Sequence, residues 1–136
     1  MGRPSVASVI MLLGVAGATV VSSAAESIQG KFSKQFNECM DRSDGVTANM
    51  RACILMEYAV QDKQLNNAYQ ALLNQHAEPW RARIRDAQRK WIAYRDAACP
   101  LYAPPESGTL DQLIVNQCFL NMVSQRAGEL NDLLQQ

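Results

Sequence analysis

Apolar residues fall three and four positions apart along most of this chain, the spacing that gathers them on one face of an α-helix, and nowhere do they alternate long enough to suggest a strand. Ile28, Phe32, Phe36 and Cys39 predict a short amphipathic helix over about Ser27 to Met40. Asp41-Arg42-Ser43-Asp44-Gly45 reads as a turn. Thr47 is placed to N-cap a long second helix reaching about Ala77, with Cys53, Met56, Val60, Leu65, Ala68, Tyr69 and Leu72 as its buried stripe. Pro79 suits the first turn of a third helix that carries Ile84, Ala87, Trp91, Tyr94 and Ala98 inward, and Pro100 ends it. After the Pro-rich stretch from Pro100 to Gly108, Thr109 and Gln112 resemble a capping box opening a fourth helix. That helix runs to the C-terminus with a wide apolar face: Leu110, Leu113, Ile114, Cys118, Phe119, Met122, Val123, Leu130, Leu133 and Leu134.

The N-terminus follows a different pattern. Arg3 precedes an apolar run from Val6 to Val21, and Ser22-Ser23-Ala24-Ala25 supplies small residues for cleavage, so residues 1–25 read as a secretory signal peptide. Gly14 and Gly17 and the missing basic flank argue against a membrane span. Without a cysteine beside the cleavage point to accept a lipid, a periplasmic or secreted product with no stable membrane anchor is expected. Residues 26–136 then form one domain with a modest core.

Charge narrows the functional classes. Thirteen Lys and Arg balance thirteen Asp and Glu, and one of the basic residues is Arg3, so the mature chain is close to neutral. Neither nucleic acid nor an anionic membrane surface is indicated as a partner. Arg81, Arg83, Arg85, Arg89, Lys90 and Arg95 make the third helix locally basic; Asp86 and Lys90, four apart, fit an ordinary solvated face. The carboxylates are scattered, and His76, the one histidine, has no nucleophile or acid beside it in sequence, so no enzyme is expected.

Cys39, Cys53, Cys99 and Cys118 are an even set in a small exported chain, which argues for two disulfides. Short connections make sequence-adjacent helices antiparallel, and all four cysteines then fall at one end of the bundle. Geometry leaves the three pairings open, while sequence proximity favours Cys39 with Cys53 and Cys99 with Cys118. The spacings are far from those of a zinc site, so no metal or other cofactor is expected. The fold expected is all-α, a small antiparallel bundle of three to four helices stapled by two disulfides.

The strings Leu65-Asn66-Asn67-Ala68-Tyr69 and Ala87-Gln88-Arg89-Lys90-Trp91-Ile92-Ala93-Tyr94-Arg95-Asp96-Ala97-Ala98-Cys99, followed by Gly108-Thr109, Cys118 and Arg126, resemble the domain shared by LprI-type lysozyme-inhibitor proteins. The resemblance covers roughly Phe36 to Leu130 and implies an exported, helical, disulfide-bonded domain. It also implies lysozyme or another muramidase as a partner, because lysozyme inhibition is assigned to a founding member. That founding type is lipid-anchored, whereas this chain lacks the acceptor cysteine.

Two surfaces are candidates for function. Asp62, Asn66 and Tyr69 share a face of the second helix, and Gln88, Trp91 and Arg95 share one of the third. Antiparallel pairing sets Asp62 near Arg95 and Tyr69 near Ala87, with Arg126 level with Trp91 and Glu57 able to join Arg95. This constellation is either a binding groove or, on the plainer reading, a polar layer that fixes helix register. The other candidate is the pair of turns at the cysteine end, where Tyr102 would anchor a partner and Asp41, Asp44 and Glu106 would meet a cationic surface. Two functions are compatible with these features: a non-enzymatic inhibitor of lysozyme-type hydrolases, and a cell-envelope binding or structural module.

Overall fold

The computed structural model describes residues 32–136; the signal-peptide reading and Ile28 lie outside that range. Among the described residues there are four α-helices, α1 (Lys34–Arg42), α2 (Thr47–Gln75), α3 (Trp80–Ala98) and α4 (Thr109–Leu133), with a 3-10 turn, Cys99–Tyr102, leading out of α3. The disulfides join Cys39 to Cys53 and Cys99 to Cys118. Consecutive helices run antiparallel, as their short connections require, so α2 and α4 run parallel. These two form the spine of the fold, with α1 on one side and α3 on the other.

Two apolar clusters fill the spine. Near the cysteine pole Ile54 and Cys53 meet Leu113, Leu120 and Phe36 of α1, and further along Leu65, Ala68 and Leu72 meet Val123, Ala127 and Leu130. Tyr58 flanks both. The inward row of α2 also contains two polar residues, Glu57 and Gln61, both buried. Met56 and Val60, expected inside, are instead exposed. The reason lies in α1. Glu57 accepts the backbone N–H of Ser33 at 2.9 Å and its hydroxyl, and takes a further bond from Gln61 at 2.8 Å. Ser33 is the N-cap of α1, so the carboxylate sits at the positive end of that helix. A polar residue therefore occupies an interior position that an apolar stripe cannot reveal.

Other boundaries differ in instructive ways. The first helix starts at Lys34, because the Ser33 hydroxyl accepts the Phe36 N–H at 3.1 Å and ends the extended segment there. The second ends at Gln75, short of Ala77. Thr47 and Thr109 are the first helical residues; Val46 and Gly108 occupy the cap positions, and neither helix has a side-chain cap. Leu110, Ile114 and Leu133 are exposed, because parallel packing on α2 uses a narrower face of α4 than the full apolar set. In the α1–α2 turn, Asp44 and Gly45 take left-handed φ values of 53° and 71°, and the buried Ser43 closes the turn by accepting the Val46 N–H at 2.9 Å.

Candidate functional site

The third helix is held off the spine by its own side chains. Ala87 and Tyr94, expected inside, face solvent, and the inner face is Ile84, Gln88, Trp91 and Arg95. Gln88 is 7% exposed and the most deeply buried residue of α3. Its carbonyl accepts the Arg126 Nε–H at 3.0 Å, and Arg126 also pairs with Glu129 at 3.0 Å. The Arg126 guanidinium lies 5.8 Å from the Trp91 ring centre and that of Arg95 5.2 Å, so the indole sits between two cations. Arg95 also lies 5.6 Å from the Phe119 ring, contacts the Tyr58 hydroxyl at 3.5 Å and pairs with Asp96 at 2.7 Å.

Of the eight residues considered for a groove, Gln88, Trp91, Arg95 and Arg126 thus come together between α3 and α4. Glu57 does not join Arg95; it is committed to Ser33. Asn66 donates to Asp62 at 2.9 Å on the exposed side of α2, and Tyr69 packs half-buried against the second core cluster. Tyr58, which sequence reasoning missed, is the α2 residue that meets Arg95. Burial pushes its phenol above the usual pKa; Arg95 opposes this, while Asp62 and Asp96 add to it.

Directly beside the Trp91 cluster, α3 and α4 diverge into a cleft of about 640 Å³, within the range of roughly 300–1,000 Å³ usual for ligand sites. Trp91, Tyr94 and Tyr102 line it from α3 and the 3-10 turn, and Gln117, Asn121 and Gln125 from α4. The disulfide at its base lets Cys118 contribute to the wall, and Met122 Sδ lies 3.5 Å from Cys99 Sγ. The amides were invisible to an apolar-stripe reading, although their spacing of four marks one face of a helix.

The two turns emerge at one pole, where Val46, Thr47 and Arg51 share a depression of about 640 Å³ with Thr109 and Gln112. Asp41, Asp44 and Glu106 are exposed there. Tyr102 is 59% exposed and Leu101 84%; Leu110 and Ile114, near the start of α4, are exposed as well. The basic face of α3 is largely paired: Arg85 bonds Glu78 at 2.7 Å, and Arg89 and Lys90 bond Asp86 at 3.3 and 2.8 Å. Hydrogen bonds from Arg85 and Lys90 accordingly lower the pKa of Glu78 and Asp86. No group of His, Cys, Asp and Glu among the described residues is arranged to hold a metal, and no described helix is long and apolar enough to cross a membrane.

The sequence profile of the lysozyme inhibitor LprI family matches residues 39–130, spanning both disulfides and the Trp91 cluster. The chain belongs to the LprI family. A stretch of 53 residues is 32% identical to an uncharacterised protein of Rhizobium meliloti strain 1021, covering 38% of this chain and 38% of that protein. No solved structure matches the chain. Membership in LprI and the two disulfides agree on an extracytoplasmic protein, since such bonds persist in oxidising compartments.

Proposed function

We propose that this protein is exported by its N-terminal signal and inhibits lysozyme-type muramidases by binding them, with no catalysis of its own. The observation that carries this reading is the LprI match across nearly the whole described domain. The surface best suited to the task is the cysteine pole. Tyr102 and Leu101 project from a turn that follows directly on Cys99, itself fully buried and bonded to Cys118. A turn fixed at its base loses little freedom on docking, so more of the contact energy reaches the complex. Tyr102 would enter the partner as an aromatic anchor, and Asp41, Asp44 and Glu106 would steer the pole toward a cationic enzyme.

The test is muramidase turnover on cell-wall substrate with purified, oxidised protein in micromolar excess. Inhibition that Tyr102→Ala weakens while thermal stability is unchanged supports the reading and its surface. Unchanged turnover with the parent protein removes it.

A further inference from the structure

The α3–α4 cleft shares Tyr102 with the pole, but its amide wall has a chemistry that inhibition at the pole does not use. We propose that it binds a neutral oligosaccharide of N-acetylated hexosamines. Tyr94 and Tyr102, both exposed, present aromatic surface on one wall, and Trp91, its faces against Arg95 and Arg126, borders it. A pyranose ring offers faces of C–H groups with partial positive charge, which pack on the negative face of an aromatic ring while its hydroxyls stay at the edge. The opposite wall supplies what those hydroxyls require. Gln117 donates to Asn121 at 2.9 Å and Gln125 to Glu129 at 3.0 Å, so each of these bonds takes one hydrogen of an amide that carries two hydrogens and a carbonyl. A sugar hydroxyl both donates and accepts, and a row of primary amides answers both needs.

Charge and spacing select further. The lining contains no Lys or Arg, and its one carboxylate, Glu129, is neutralised by Arg126 at 3.0 Å. An anionic ligand finds no counter-charge there, and a cationic one finds an acid already paired. Residues four apart on α4 rise about 6 Å, so the amides meet a ligand at regular intervals, as a polymer of repeating units demands. Ala98, Ile114 and Met122 form an apolar floor suited to the acetamido methyl, whose N–H and carbonyl then reach the amides. The Cys99–Cys118 bond ties the end of the aromatic wall to the amide wall.

The test uses Trp80→Phe protein, which leaves Trp91 as the sole tryptophan, titrated with chitotetraose and followed by tryptophan fluorescence and calorimetry. A saturable response is expected, weakened about tenfold or more by Tyr94→Ala and by Asn121→Ala, as loss of one contact of about 1.4 kcal/mol entails. Both positions are exposed, and unchanged melting of the variants separates lost binding from lost fold. No response at millimolar sugar overturns the proposal. So does an equal response to cellotetraose, which lacks acetamido groups, or full affinity in Asn121→Ala. The titration contains no muramidase, so its outcome is independent of whether the protein inhibits one.

Discussion

Replacing Gln88 with Ala tests how α3 is fastened. The Gln88 carbonyl accepts from Arg126 Nε at 3.0 Å, and the Arg126 side chain is 15% exposed. Truncation leaves a charged donor facing an apolar gap. Hydrogen bonds to charged groups contribute roughly 1.5–3 kcal/mol, and because Arg126 keeps its bond to Glu129, the lower half of that range applies: about 2 kcal/mol. Against a domain stability of roughly 5–15 kcal/mol this is a large change. Urea unfolding with the disulfides intact should show a lower midpoint at unchanged slope. Gln88→Glu keeps an acceptor for Arg126 and should lose less. In a double-mutant cycle with Arg126→Ala the two losses should fall short of additivity by at least about 1 kcal/mol. Amide exchange should quicken in α3 before it does in the spine, because the lesion loosens one helix. A loss within about 0.5 kcal/mol, the range of ordinary surface substitutions, would refute the reasoning and shift the fastening of α3 to Trp91 and the disulfide alone.

Three further outcomes are expected. Replacing Cys99 and Cys118 by Ser opens a loop of sequence separation 19 and should cost roughly 3 kcal/mol by calorimetry, whereas a loss under about 1 kcal/mol would mean that α3 docks without its staple. Gly45→Ala should cost about 1 kcal/mol in the same assay, purely from φ of 71°, since nothing lies within 4 Å of the added Cβ; Gly45→Asn should cost less. Tyr58, with its phenol pKa raised by burial, keeps its proton in the folded state when the unfolded chain has lost it. Its contribution is complete below about pH 10 and declines as pH rises beyond that, so Tyr58→Phe should flatten the alkaline fall in urea midpoint; an identical slope would show that other groups govern it.

How far the sequence speaks follows from which force shapes each part. Helix number, the cysteine pole and both pairings were legible, because apolar period, Pro and Gly positions and loop length are local properties. The inward faces of α2 and α3 depart from the apolar stripe at Met56, Val60, Ala87 and Tyr94, which are exposed while polar neighbours pack. Glu57 is buried because the start of α1 needs an acceptor, and Gln88 because Arg126 needs one; each requirement comes from a distant segment. The apolar period of α3 points Tyr94 inward, yet it is 65% exposed and lines the cleft. The cleft has the same origin. Where Gln88, Trp91 and Arg95 stand in for small apolar residues, α3 cannot close on α4, and the gap beside them exposes aromatic rings opposite amides. The polar contacts of Gln88 and Arg95 therefore border the concave surface on which Tyr94 and Tyr102 face Gln117, Asn121 and Gln125. A Gln88→Leu, Arg126→Leu pair makes this testable: it should leave the fold intact, draw α3 inward and abolish the sugar response, while a cleft that still bound sugar would show that its width is set by the Cys99–Cys118 end instead.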